Sequence, residues 1–312
     1  MAAAVQSSTN LFRRLAWSAT VPLHIRLADA GGPVDHYFIQ APRYTYLALL
    51  LPTIREHLVE LVLDDDALAR TSESEWWFEL DATDSPFGSD AVRWHWPLDL
   101  VDLCACMLRP ASATESGPEP LRLILHLTGA PADKLAVPPT LEAVKTHFVS
   151  QVKEADFVRW GNTRRVTGLR RTDLEAGWDG VATGDYDLHQ RMAGRIVPLP
   201  IPSSPPTSPQ PDRDRDKVDS AYAARSLPIK VYLPDGAAAI QAPVAPLTDG
   251  RPTTLLQYLE ATLPLLFENG YRAAQPIAQG ILLPPDADVA WLAACMASAD
   301  GWLRIGIRLV AE

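Results

Sequence analysis

Leu121-Arg122-Leu123-Ile124-Leu125-His126-Leu127-Thr128 decides the fold of the first half of the chain. Leucine at every second position puts Leu121, Leu123, Leu125 and Leu127 on one face of a strand, the pattern of a sheet covered on one side. Working outward, a short helix near Leu98 to Met107 precedes it, and before that Ala91 to Trp96 and Glu75 to Asp81 read as strands. Tyr44 to Leu63 carries Leu47, Leu50, Leu51, Ile54, Leu58 and Leu61 at three-and-four spacing, which predicts an amphipathic helix. Trp17 to Ala28 and His36 to Ala41 read as a hairpin around Ala30-Gly31-Gly32-Pro33.

The same order recurs near the C-terminus. Leu227 to Leu233 and Ala239 to Val244 read as a hairpin, Thr253 to Phe267 as a helix, Gln275 to Leu283 as a strand, Val289 to Ala299 as a helix and Trp302 to Val310 as a closing strand. A mixed sheet wrapped round one helix is the ubiquitin-like, or β-grasp, pattern, so the chain is expected to be α+β, with two ubiquitin-like (β-grasp) domains flanking a helix-rich domain. The expected boundaries are an N-terminal helix or arm at 1–14, domains at 15–131 and 227–312, and the helix-rich part at 132–197. In that part Thr140 follows Pro138-Pro139 as a helix N-cap, and Leu141, Val144, Phe148, Val152 and Ala155 form one narrow stripe. A second helix is expected from Asp185 to Ile196, capped by Asp185. Pro198 to Ser226 holds seven prolines before the run Asp212-Arg213-Asp214-Arg215-Asp216-Lys217, and reads as a solvated linker. Ser204-Pro205 and Ser208-Pro209 are either phosphorylation sites or, the reading preferred, plain spacer.

Composition narrows the function. Against 28 Lys+Arg stand 38 Asp+Glu, a net charge of −10, which makes the chain as a whole a poor binder of nucleic acid and leaves any basic surface local. A hydrophobic content of 47% with 21% charged residues is that of a globular protein. Cys104, Cys106 and Cys295 make neither a disulfide framework nor a C-x-x-C knuckle. Met1 to Asn10 lacks the apolar core of a signal peptide, and Tyr46 to Leu51 stops at Pro52, far short of the ~18 residues of a spanning helix. A soluble protein of a reducing compartment is the expectation.

No phosphate loop, nucleophile elbow, H-E-x-x-H or dinucleotide fingerprint occurs. Asp179, Asp185, Asp187 and His189 have the chemistry to gather a divalent ion, which keeps a metal-dependent enzyme as one alternative, although Asp185 as a helix cap explains the set as well. Trp94-His95-Trp96 reads as core and partner-face packing. Arg43, at the N-terminal end of a helix where the macrodipole disfavours a cation, is either a surface residue or a partner contact. Arg159, Arg164, Arg165, Arg170 and Arg171 form a basic cluster, read as a solvated loop or a patch for anionic lipid. Lys153 falls about 140° from the centre of the apolar stripe at 100° per residue, so its amine is expected in water, a property shared with Lys145.

Specific motifs then enter. Phe148-Val149-Ser150-Gln151-Val152-Lys153-Glu154-Ala155-Asp156, Pro42-Arg43-Tyr44-Thr45-Tyr46-Leu47, Trp77-Phe78-Glu79, Trp94-His95-Trp96-Pro97 and Gly280-Ile281 followed by Trp291-Leu292 resemble, in the same order, the autophagy protein 5 family. The resemblance spans Trp17 to Leu309; Pro198 to Ser226 and Arg109 to Pro120 look like longer segments that carry no functional transfer. It implies a non-catalytic scaffold without cofactor or metal, whose Lys153 is the isopeptide acceptor for autophagy protein 12, delivered by the conjugating enzymes of the pathway. It further implies assembly with a helical segment of autophagy protein 16, in a groove between the ubiquitin-like domains with Arg43 as candidate contact. The assembly would act in a ligase-like way in transfer of autophagy protein 8 to phosphatidylethanolamine. Arg164, Arg165, Arg170 and Arg171 would face an anionic membrane, and the implied location is cytoplasmic with recruitment to the preautophagosomal membrane. A constitutive binding module without covalent modification is the other alternative.

Overall fold

The alternation at 121–126 does what its spacing demands. In the computed structural model, which describes residues 2–28, 36–81, 90–109, 119–201, 219–234 and 236–310, α1 (Ala2–Ser18) leads into β1 (Thr20–Leu27), which pairs antiparallel with β2 (His36–Pro42). Then follow α2 (Leu47–Ile54), β3 (Trp77–Leu80), β4 (Asp90–Ala91), α3 (Leu98–Leu108) and β5 (Leu121–His126). β5 lies parallel to β1 and antiparallel to β3, giving the order β2-β1-β5-β3-β4. Leu121, Leu123 and Leu125 point inward with Val21, Leu23 and Ile25, onto Leu47, Leu51 and Ile54 of α2. The turn at 30–33, the two Ser-Pro pairs and nearly all of 109–120 lie outside the described residues.

The helical part consists of α4 (Leu141–Trp160), α5 (Arg171–Thr183) and α6 (Tyr186–Ile196), and its Phe148, Trp178 and Met192 belong to the same apolar core as the first sheet. The second sheet has a core of its own. It is built from β6 (Ile229–Tyr232), β7 (Ala274–Ala278), β8 (Ile281–Leu282) and β9 (Leu303–Leu309), with α7 (Leu255–Thr262) and α8 (Val289–Cys295). The order is β8-β7-β9-β6, with β9 parallel to β6, and Ile240 bridges Val231 at the outer edge of β6. Counting that bridge as a rudimentary strand, the two domains share one topology.

Local chemistry explains the departures from expectation. Pro52 lacks an N–H inside α2, and after it the helix widens to a π turn at Arg55–Val59. The extra residue rotates Leu61 out of the apolar stripe, leaving it 64% exposed while Val59 is buried. Of the expected 91–96 strand only Ala91 pairs, together with Asp90 before it; the chain then turns, burying Trp94 against Phe78. The expected hairpin at 239–244 is reduced to the Val231–Ile240 bridge and the Leu227 N–H bond to Val244 O at 2.9 Å. Pro264 breaks the 253–267 helix after Leu263. The expected 275–283 strand is a hairpin, folded at Gln279 and Gly280, whose φ values of 50° and 78° suit a tight primed turn.

The ends of the proline-rich stretch are packed rather than solvated. Leu199 bridges Ser220 in parallel and is buried with Ala221, so the described residues on either side of 202–218 meet in a closed base.

The two sheets differ in what covers them. Among the described residues the outer face of the first is open, with Phe38 65% exposed. The outer face of the second lies under α3 and α4: Gly306 meets Met107 and Leu103, and Arg304, Lys230 and Arg308 are buried there.

Candidate functional site

α4 is held at both ends by its own sequence. Thr140 Oγ1 accepts from the Ala143 N–H at 3.3 Å, and Gly161 terminates the helix in the left-handed region at φ 70°. Val144, Phe148, Val152 and Ala155 are fully buried, as the stripe predicts, whereas Leu141 in the first turn, also expected in the stripe, is 50% exposed. Lys153 is exposed on the opposite side, and its amine makes no hydrogen bond or ion pair among the described residues. Phe157, one turn later, is 55% exposed. It borders a cleft of about 290 Å³ that continues to Leu227, Gln241 and Trp302 of the second domain.

The turn that carries Lys153 is tied to that domain. Lys230 Nζ donates to Gln151 Oε1 at 2.7 Å and to Glu154 Oε2 at 3.4 Å, and stands 4.0 Å over the Trp302 ring. Trp302 Nε1 donates to the Gln151 carbonyl at 3.2 Å. Sequence reasoning missed Lys230 and Trp302: in Ile229-Lys230-Val231 the lysine reads as an outward, solvated strand residue.

Arg43 is not a surface residue. It is 8% exposed, and its Nη1 donates to Asp102 Oδ2 of α3 at 2.9 Å, which replaces the unfavourable helix-end placement with a buried ion pair. Beside it, the Tyr44 hydroxyl accepts from Gln279 Nε2 of the second domain at 2.7 Å. The seam between the ubiquitin-like domains at this point is filled by the chain's own side chains. A further buried set joins the domains at α3: Arg304 lies 3.5 Å from Asp99 and pairs with Asp300, and burial pushes the Asp99 carboxyl up against the pull of Arg304.

The arginines divide. Arg159 is buried, donates to the Gly301 carbonyl, and is lowered to about 10 by burial, so it leaves the basic cluster. Arg165 sits 3.8 Å over Trp160 and 2.8 Å from Asp219. Arg164 and Arg170 are exposed, and Arg171 is exposed while paired to Glu175 at 2.7 Å.

The residues of the metal alternative point apart. Asp185 Oδ1 caps α6 through the Leu188 N–H at 3.0 Å, Asp187 pairs with Arg14, and His189 is buried with Nε2 3.0 Å from the Ala299 carbonyl. Burial holds the His189 imidazole down to about 4. Among the described residues no three His, Cys, Asp or Glu side chains are placed to share an ion, and no helix is long and apolar enough to cross a membrane. A separate cleft of about 660 Å³ opens beside α1, lined by Leu11, Leu15, Tyr44, Val181 and Tyr186. Leu11 and Leu15 are 59% and 58% exposed.

Two ubiquitin-like sheets around a helical bundle define the class: a tandem ubiquitin-like protein. Family models for autophagy protein ATG5 match in that order, the UblA domain at residues 16–127, the alpha-helical bundle region at 141–199 and the UblB domain at 226–307. The chain is 25% identical to autophagy protein 5 of Penicillium rubens over 97% of its length and 98% of that protein. It is 27% identical to that of Phaeosphaeria nodorum, covering 97% and 98%. The crystal structure of Kluyveromyces marxianus Atg5 superposes with a TM-score of 0.69 at 18% identity, over 96% of this chain and 100% of that one, a likeness of fold. The chain belongs to the autophagy protein 5 family, and its role lies in autophagy.

Proposed function

We propose that the chain is a non-catalytic scaffold that accepts the ubiquitin-like modifier autophagy protein 12 on Lys153. The observation that carries this reading is the exposed Lys153 amine on a helix whose opposite side buries Val144, Phe148, Val152 and Ala155, within the 148–156 segment that resembles the conjugation helix of the family. The unprotonated amine attacks the thioester carbonyl carbon of the modifier's C-terminal glycine on its conjugating enzyme. A C–N bond forms, the C–S bond breaks, the enzyme's cysteine leaves as thiolate, and the amine gives up a proton to a base. Alkyl amines are mostly protonated at neutral pH, so the enzymes must supply that base or desolvate the amine. Lys153→Arg keeps the charge and removes the acylable group. It is expected to fold normally and give no conjugate, and a full-size conjugate from that variant refutes the assignment. So does a chain that runs in its native cells only as the free 34.1 kDa species.

In the same reading the conjugate binds a helical segment of autophagy protein 16 and promotes transfer of autophagy protein 8 to phosphatidylethanolamine, in the cytoplasm and at the preautophagosomal membrane. The apolar cleft lined by Leu11, Leu15 and Tyr44 suits a helix with an apolar face. Arg43 would act there by holding Tyr44 through the Asp102 pair; capture of the partner unchanged in Arg43→Glu rules it out. Arg164, Arg165, Arg170 and Arg171 would meet anionic lipid, their cations attracted to the negative surface potential. Charge reversal at Arg164 and Arg165 should then weaken binding to phosphatidylserine liposomes.

A further inference from the structure

Resting on the reading of Lys153 as acceptor, we propose that Lys230 of the second ubiquitin-like domain is a positioning residue for the conjugation, fixing the turn of α4 from which the acceptor amine projects. Gln151 and Glu154 lie three residues apart on one face of α4, and Lys153 projects about 130° round from the middle of that face at 100° per residue. Lys230 engages both flanking side chains, at 2.7 Å and 3.4 Å. The indole N–H of Trp302, over whose ring Lys230 sits, holds the Gln151 carbonyl of the same turn. Backbone and side chains next to the acceptor are thus pinned by a domain other than the one that contains it.

The choice of a lysine is itself informative. The Lys230 side chain is only 10% exposed, and Glu154 is 41% exposed, so the ammonium is largely desolvated for a partner that water also solvates. Such pairs add little net stability, and an apolar side chain of similar length would fill the space at less cost. What the ammonium adds is direction: three donors on Nζ set the rotation of the helix turn relative to β6. An amine that must meet a thioester carbon along a defined approach loses rate steeply when its base is displaced by an ångström.

The test uses the full chain with autophagy protein 12 charged as a thioester on its conjugating enzyme. Lys230→Met should fold, with an unchanged circular dichroism spectrum, yet show turnover at saturating charged enzyme lowered about tenfold and an unchanged KM. Lys230→Arg, which can still donate to Gln151 and Glu154, should recover most of the rate. Trp302→Phe keeps the ring packing, removes the indole donor and should give a smaller fall. Acetylation of Lys153 by N-hydroxysuccinimidyl acetate, read by peptide mass spectrometry, should be the same in all, because the amine is unaltered and only its aim is lost. Wild-type turnover in Lys230→Met overturns the proposal, as does a fall matched by equally slow acetylation. Absence of conjugate from the unmodified chain is a different failure: it removes the acceptor reading, and this proposal with it.

Discussion

Gly306 lies in β9 where α3 crosses the second sheet, and it carries no side chain because there is no room for one. A Cβ at this position would fall 2.7 Å from Met107 Cγ and 2.9 Å from Leu103 Cδ1, about 1 Å inside the usual carbon–carbon contact. Both neighbours are buried, 5% and 2% exposed, so neither can swing into water. The backbone at Gly306 is outside the left-handed region, so alanine fits the dihedrals and gains about 0.4–1 kcal/mol from a stiffer unfolded chain. Overpacking costs about 1–3 kcal/mol. The balance is a destabilisation of about 1–2 kcal/mol for Gly306→Ala, with Gly306→Val at about 3 kcal/mol. Met107→Ala removes one side of the clash: alone it should cost about 2–4 kcal/mol as a cavity, and markedly less alongside Gly306→Ala. Urea unfolding of the four proteins completes the cycle, with a coupling of at least ~1 kcal/mol expected. Additivity within about 0.5 kcal/mol, or a stabilising Gly306→Ala, would show that α3 does not press on the sheet here.

His189 is kept neutral by burial, its folded value near 4 against 6.5 for the free side chain. Its contribution is therefore present above pH 6.5 and lost as pH falls towards 4, by about 3 kcal/mol; denaturation midpoints at pH 7, 5.5 and 4 should follow that slope, and His189→Gln should flatten it. Asp288 Oδ1 accepts from the N–H groups of Ala290 at 2.8 Å and Trp291 at 3.3 Å, and Tyr222 donates to its other oxygen. Asp288→Ala should cost about 1–2 kcal/mol, measured as a lower urea midpoint, and a neutral substitution would remove the cap from the account. Since Leu199 N–H bonds Asp219 O at 3.1 Å and Ala221 N–H bonds Leu199 O at 2.8 Å, replacing residues 202–218 with a six-residue Gly/Ser loop should preserve folding and add about 1 kcal/mol of stability. An insoluble or unfolded product would mean that the excised stretch packs.

Much of the architecture was legible because each element announces itself locally. The alternating leucines of 121–127, the spacing from Leu47 to Leu58 and the capping residues Thr140 and Asp185 depend on neighbours a few residues away, and all are found in place. Exposure of Lys153 followed from the same periodicity. α5 went unread because Gly177, Trp178, Asp179 and Gly180 break any apolar rhythm; their glycines are required by the neighbour instead, a Cβ at Gly177 falling 2.3 Å from Met192 Sδ. Burial of Arg43, Arg159, Arg304 and Lys230 was equally unreadable. A cation at an outward position looks solvated until a distant element or another domain arrives, and no local signal says that Asp102, Gly301, Asp99 or Gln151 will meet it.

Among the described residues, one copy of the duplicated sheet leaves its outer surface uncovered and the other has protein on it. Substitutions at matching outward positions should accordingly be absorbed in the first half, where Phe38 already stands in solvent, and resisted in the second, where Arg304, Lys230 and Arg308 are walled in. Two repeats of one topology thus differ in the latitude they leave to a new side chain: the half that serves as a foundation for its neighbours leaves less.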